Sequence, residues 1–524
     1  MNGRPAAVAL AVSLFCPALA AQCELGAFDS SDFGPGSEPA DKDRFGRSVA
    51  VDGGGVVAVG APFNDEAGVP SVGAVYVYRH DGAAFQPEQK LQPGPSSSGG
   101  FGTAVFLDGD VLLASGGVGL TEYTFDGSVW SETALLPIAV PGTADFEGDV
   151  VVVGSAFEQD SAGEARVYRR GPAGWTLEQL LPNPLAGVTD RFGIAVSVSG
   201  DVIAVGASGK GSGFGASQGL GVVHLYRHGV TGWIHEDVVS ASDGELDDLY
   251  AVSVAVSGDA LAVGATHTEE VFPATGTQVS NNGAVYVYRH DGQGGWPEEQ
   301  MLVSEGMGSQ INFGRALDLD GDVLVASSRR PAPFAGSGDV TVFHRHGGAW
   351  VEDVDPVPSD IDFFDDFGIS VAVSGELVAA GSDGHEVGAA DDAGAAYVFD
   401  VHPAIDLGSG LAGTGGLVPR LELGGLCAAA DFTVSLSDAK PSSTAWLAFG
   451  LSSVGLPVQG GILVPSPDVV VPVPLSAAGT AAPAFPWPPG LAGLVTWWQF
   501  AVPDDQAPQG WAFSNALTRT AAGL

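Results

Sequence analysis

The 524-residue chain is poor in cysteine, in methionine and in positive charge. With 3 Cys and 3 Met, it has neither a disulfide-dense scaffold nor a cysteine-rich metal module. Its 20 Lys and Arg stand against 62 Asp and Glu, a formal net charge of −42. A field of that sign repels phosphate backbones and anionic lipid, so no nucleic-acid partner is expected. A long uninterrupted apolar run is also missing from the interior. The most apolar stretch, 461–475, is broken by Pro465, Pro467, Pro472 and Pro474, too many prolines for a membrane helix. His-Glu-x-x-His and phosphate-loop signatures are absent, and no catalytic or metal-ligating residue is assigned.

What is present begins with an export signal. Arg4 precedes an apolar run over 6–15, and Ala18-Leu19-Ala20 is a small-x-small cleavage site, so residues 1–20 read as a signal peptide. The mature chain then keeps Cys23 and Cys427, which either pair as one disulfide or stay as buried thiols.

The interior is repetitive. The stretch Arg191-Phe192-Gly193-Ile194-Ala195-Val196-Ser197-Val198-Ser199-Gly200-Asp201-Val202-Ile203-Ala204-Val205-Gly206-Ala207 recurs seven times when aligned on the glycines at 53, 109, 148, 200, 258, 321 and 375. Phe45, Phe101, Phe192, Tyr250, Phe313 and Phe367 open the copies, and Val140-Pro141 replaces the aromatic in the third. Each copy has an alternating run, a two-residue acid- or Ser-Gly turn and a second run such as 202–206. A third run follows, such as Gly73-Ala74-Val75-Tyr76-Val77-Tyr78, and then a weaker fourth led by Trp175-Thr176-Leu177-Glu178 and its equivalents. Four antiparallel strands repeated seven times imply an all-β fold, a seven-bladed β-propeller. The seventh copy lacks a fourth strand, so residues 24–28 are expected to supply it and close the ring.

The Phe192-Gly193 opening and the Val59-Gly60-Ala61-Pro62 ending resemble the FG-GAP repeat of integrin α-subunit propellers, in its shorter bacterial form. The resemblance spans 24–401; the signal peptide implies an exported, extracellular or cell-surface protein. It departs from that family at the first hairpin. The calcium loop D-x-[DN]-x-D-G-x-x-x-D is cut to two residues, and Ser199-Gly200-Asp201 offers too few oxygens for calcium. No cofactor is expected at these hairpins, and calcium in the acidic loops stays open.

In an up-and-down sheet the loops after the second strand share a face with the crossovers. Here they are long and variable, which is where binding residues usually sit. They carry the candidate partner-binding residues Asn64, Asp65, Glu66, Glu269, Glu270, Arg329, Arg330, Asp383, His385, Glu386, Asp391 and Asp392. His80, His228, His290 and His346 each follow an arginine at the end of a third strand. On separate blades they cannot share one ion, which implies a structural role. After Pro403 the composition turns Gly-, Leu- and Pro-rich, and 402–524 reads as a small β-sandwich ending in a strand at 511–517. Trp487, Trp497, Trp498 and Trp511 are either core or a sugar-stacking platform. The expected function is an exported, non-catalytic binding or adhesion-type protein that meets a protein or glycan partner. The alternatives are a propeller enzyme acting on extracellular polysaccharide and a purely structural surface protein.

Overall fold

The computed structural model describes residues 23–33, 39–65, 69–82, 84–94, 99–138, 143–172, 174–184, 190–209, 220–246, 248–268, 270–272, 277–279, 282–304, 311–329, 336–354, 356–388, 390–402, 405–407, 409–424, 431–459, 461–486 and 494–520. The chain is all-β and built on repeated four-stranded antiparallel sheets, as in a β-propeller. Sheets one to six each take their four strands in chain order, at 48–91, 105–136, 143–180, 192–239, 250–302 and 317–354, with a separate small hairpin inserted between the second and third strands of the fifth. Sheet seven joins strands Val371–Ser374, Leu377–Ser382 and Ala395–Asp400 to the N-terminal strand Cys23–Phe28, which pairs with Ala395–Asp400 as its outer member. No helix among the described residues is long and apolar enough to cross a membrane.

Near-continuous apolar runs bury both faces of the second strands and most of the third. Val202–Ala207 is buried throughout, and the core clusters mix residues from successive sheets. Ala58 and Val75 of sheet one pack with Phe101, Leu112 and Tyr123 of sheet two. Ala379, Ala396 and Val398 of sheet seven pack with Val57, Val59 and Tyr76 of sheet one. Each sheet thus supplies the apolar cover its neighbour lacks, the condition for stacked four-stranded units to be stable.

The opening aromatic is the peg in this stacking. Phe45, Phe101, Phe192, Tyr250, Phe313 and Phe367 are at most 1% exposed. Phe101 bridges Gly73, at the root of the preceding sheet's third strand. Phe192, Phe313 and Phe367 do the same at Gly163, Gly283 and Gly338, and Phe45 meets Gly394 of sheet seven. Glycine is required there: a Cβ on Gly73 would lie 2.1 Å from the Phe101 carbonyl oxygen. The third copy's Val140-Pro141 lies outside the described residues.

Six first hairpins have the expected two-residue turn, as in Ser199 paired with Val202, with Gly200 at a φ of +56°. The first sheet differs. Asp52 pairs with Val56, so Gly53-Gly54-Gly55 form a three-residue turn and the positive φ moves to Gly55. The glycine run lets the chain take one more residue, and Asp52 Oδ1 accepts the Gly54 N–H.

Beyond residue 402, strands Ile405–Asp406, Leu517–Thr520, Val495–Pro503, Thr444–Gly450 and Val469–Pro474 form one sheet in that order. Arg420–Gly424, Asp431–Ser437 and Ala484–Pro486 form another. Leu421, Val434 and Leu436 share a core with Leu447, Phe500 and Trp498. The expected single strand at 511–517 is split into Trp511–Phe513 and Leu517–Thr520. The break is polar: Ser514 Oγ accepts the Phe500 N–H, and Asn515 exchanges hydrogen bonds with Leu421. Trp498 is buried, with its indole N–H on Thr496, while adjacent Trp497 lies on the opposite strand face, so the two do not form one stacking platform.

Candidate binding face and axial channel

Two places gather polar groups: the face carrying the loops after each second strand, and a channel-like cavity lined by the first strands of the four-stranded sheets.

On the loop face, the crossover segment 41–47 is clamped between the loops of sheets one and seven. Asn64 is 4% exposed and its side-chain N–H donates to Asp43 Oδ2 at 3.0 Å. Asp383 is 1% exposed and accepts from Arg44 and Arg47 at 3.2 and 3.1 Å. Asp392 lies 3.9 Å from the same Arg44, and the Asp391 carbonyl accepts the Lys42 N–H. His385 Nδ1 meets buried Asp365 at 2.9 Å, and this hydrogen bond holds the imidazolium above the usual histidine range against the opposing effect of burial. Asn64, Asp383 and His385 therefore root their loops. Asp65, Glu386 and Asp391 are exposed at the surface, and Asp65 Oδ1 accepts the Ser71 N–H.

A 250 Å³ cavity opens beside this root, where the N-terminal strand meets the seventh loop. Its lining includes Phe28, Asp29, Asp360, His385, Glu386 and Tyr397, with the Tyr397 hydroxyl donating to Asp360 at 2.8 Å. The remaining candidates do not join this group. Arg329 is exposed on the loop after sheet six's second strand, and its backbone N–H donates to the Ile311 carbonyl. Glu270 lies in a small hairpin, Glu270–Phe272 with Thr277–Val279. Glu66, Glu269 and Arg330 lie outside the described residues.

The histidine series is structural and contains one misalignment. His80, His228 and His290 pack on Phe85, Trp233 and Trp296 at the turn into the outer strand. Their backbone N–H groups donate to Gly55, Asp201 and Asp259. In sheet six the residue doing this is Arg345, so His346 stands one position out of register. It stacks on His344, whose Nε2 lies 2.9 Å from Glu376. Among the described residues no group of three His, Cys, Asp or Glu is placed to hold a metal ion.

The acid of the outer strand is a latch between sheets. The indole N–H of Trp130 donates to Glu88, that of Trp296 to Glu236 and that of Trp350 to Glu299, each acid belonging to the preceding sheet. The following glutamine completes the grip: Gln300 exchanges both its amide hydrogen bonds with the Trp350 backbone, as Gln179 does with Trp233.

The channel is an open cavity of about 420 Å³ lined by the first strands of the seven four-stranded sheets. Side chains one position before the turn form one set of rungs to the next sheet. Asp108 accepts the Gly148 N–H, Glu147 that of Gly200, Ser199 that of Gly258, Ser257 that of Gly321 and Asp320 that of Gly375. Three positions before the turn lies a second set: Asp145 accepts from Val198 at 2.8 Å, Ser197 from Val256 at 3.1 Å and Asp318 from Val373 at 2.7 Å. Burial pushes Asp145 up to about 6 and Asp318 up to about 7, and the two carboxylates repel one another. Sequence reading missed this pair. The signal was available, because the equivalent positions in the other copies are Ala50, Phe106, Ser197, Ala255 and Ala372.

One catalytic-type motif was also passed over. Gly215-Ala216-Ser217-Gln218-Gly219 fits Gly-x-Ser-x-Gly, but it lies outside the described residues. It is flanked by strands Val202–Ala207 and Val222–Gly229, whereas a nucleophile elbow needs a strand followed by a helix.

The fold and these rungs and latches define an all-β repeat protein of the propeller type. Four stretches of it match the FG-GAP repeat, at residues 36–78, 175–226, 233–288 and 350–399. The last three matches begin at an outer strand of one sheet and end in the third strand of the next, so the sequence unit straddles the sheet boundary. No curated protein matches the chain. Among solved structures it is similar to a chain of the mitotic checkpoint complex, with 12% identity, 76% of this chain and 96% of that chain covered, and a TM-score of 0.43. It is also similar to Sqt1 of Chaetomium thermophilum, with 14% identity, 69% and 84% covered, and a TM-score of 0.39.

Proposed function

We propose that the chain is an exported binding protein: a signal peptide at 1–20, a seven-bladed FG-GAP propeller at 24–401 and a β-sandwich at 402–524. The propeller's loop face meets a protein or glycan partner outside the cell. The observation that carries this reading is the division of labour within the loops. Buried Asn64 and Asp383 and half-buried His385 pin the loop roots, while Asp65, Glu386 and Asp391 present carboxylates at the surface. Pinned roots with exposed polar tips reduce the ordering cost of docking. The export signal and the acidic surface suit an extracellular setting.

The test is capture of partners from the native cell surface, alongside a glycan array, with the mature chain and two variants. A triple variant Asp65→Asn, Glu386→Gln, Asp391→Asn should lose at least tenfold in binding. Asp201→Asn with Asp259→Asn, on the opposite face, should bind as the parent does. The reverse result rejects the loop face. Turnover of a polysaccharide that disappears on Asp318→Asn would instead assign the function to the channel, as an enzyme.

A further inference from the structure

We propose that His385 is a pH-sensitive pin: while protonated it fastens the loop after sheet seven's second strand to the crossover that precedes the sheet, and loss of its proton loosens that loop. The inference goes beyond the loop-face reading and stands whether or not a partner docks there.

The internal repeat supplies the control. In sheets one, five and seven the crossover and the loop share one frame. A buried acid two residues before the opening aromatic accepts the backbone N–H of the residue three before itself: Asp43 from Ala40, Asp248 from Glu245 and Asp365 from Asp362. In the loop, the backbone N–H groups of Asn64, Thr268 and His385 donate three residues back, to Ala61, Ala265 and Ser382. Their carbonyls accept from Gly73, Gly283 and Gly394. The three side chains therefore stand at one position of one frame. Sheet one closes it with a neutral group, the Asn64 amide on Asp43 at 3.0 Å. In sheet five the Tyr286 hydroxyl donates to Asp243, as Tyr397 does to Asp360 in sheet seven. The acids and the tyrosine belong to the frame, and the imidazole is what sheet seven adds.

An imidazole at that position answers to two carboxylates. Its Nδ1 lies 2.9 Å from Asp365, and its Nε2 lies 3.8 Å from Asp360. A neutral ring has one N–H and one lone pair, so it donates to one acid and turns the lone pair on the other. The imidazolium donates on both sides. The other charges around the ring are also negative: Asp29, just after the N-terminal strand, and Glu386 line the same cavity. Arg44 and Arg47, on the crossover before sheet one, are held by Asp383. The His385 side chain is 13% exposed, and the cavity beside it gives its proton a route to solvent. The hydrogen bond to Asp365 holds the imidazolium above its ordinary 6.5 against burial, and attraction to Asp365, Asp360 and Asp29 adds to it. The stabilisation is therefore complete below about pH 6.5 and is lost as the pH rises through the raised folded value. What loosens is local. The Gly384 N–H and the Ser382 hydroxyl both cross from the loop to the Asp365 carbonyl.

The experiment is an NMR titration of the histidine ring signals of the mature chain, with hydrogen exchange at the Gly384 amide followed over the same range, about pH 5.5 to 8.5. His385→Asn identifies the ring signal and copies the Asn64 pin. We expect the His385 ring to titrate above 6.5, and its midpoint to fall by about half a unit or more in Asp360→Asn. Protection at Gly384, corrected for the pH dependence of free-amide exchange, should drop about three- to tenfold across the range in the parent. It should stay level in His385→Asn. Where that variant folds poorly, Asp360→Asn carries the test: its neutral ring faces no second carboxylate, so the pH-dependent loss of protection should shrink. A His385 midpoint at or below 6.5, or an equal loss of protection in parent and variants, overturns the proposal.

Discussion

At the residue scale, Asp145 and Asp318 are acids whose folded form prefers the proton. Burial raises them to about 6 and about 7 from an ordinary value of 3.8. Between those limits the native state holds more protons than the unfolded chain, so stability falls as pH rises. Their stabilising contribution is complete below about pH 4 and is lost as pH climbs through about 7. Replacing either by asparagine keeps an acceptor for the rung and removes the charge. We expect the single variants to gain on the order of 1–3 kcal/mol over the parent at pH 8 and little at pH 4. Denaturant unfolding at the two pH values measures this, and equal stability of parent and variants at pH 8 would sink it.

At the element scale, the outer strand holds the neighbouring sheet through a tryptophan. Trp350 is 3% exposed, and its indole N–H meets Glu299, which also accepts from Arg345 and Arg289. These donors keep the Glu299 carboxyl below its usual range although burial opposes them. Trp350→Phe retains most of the apolar contact and deletes the donor. It should lower stability by about 1–2 kcal/mol, whereas Trp350→Ala should lose about 3–5 kcal/mol. Urea unfolding of the two variants separates the terms. If the phenylalanine and alanine variants are equally destabilised, the hydrogen bond to Glu299 carries the interaction and packing does not. The Trp-x-x-Glu-Gln spacing is readable in the sequence, but its partner lies about 50 residues away on the next sheet, so its purpose is not.

At the scale of the whole molecule, sheet seven is completed by the strand Cys23–Phe28, more than three hundred residues before its other members. Phe28 stacks on Tyr78 of sheet one at 4.2 Å while its own strand pairs with Ala395–Asp400. The N-terminal strand therefore touches both sides of the seam between sheets seven and one. Phe28→Ala should cost about 3–5 kcal/mol. Deleting 23–28 should do more, leaving the edge of Ala395–Asp400 unpaired and lowering solubility. Calorimetry and size-exclusion chromatography read both. A deletion that melts with the parent's midpoint and stays monomeric would show that this strand is dispensable.

What the sequence determined by itself was local and periodic. Alternation set the strands, Gly after an acid or Ser set the hairpins, and seven copies of one grammar set a repeated sheet. The incomplete seventh copy was enough to predict the strand at 24–28. Repetition also showed that His80, His228 and His290 could not be ligands of one ion. What only the tertiary structure decided depends on contacts between copies. Arg44 meets Asp383 across more than three hundred residues, Asn64 and Asp383 turn inward where exposed loop positions had been expected, and Asp145 and Asp318 line one cavity. Periodicity reports which face a side chain takes within its own strand; it carries no information on which distant copy lies opposite, and charge and burial at this molecule's two candidate sites are set by that opposition.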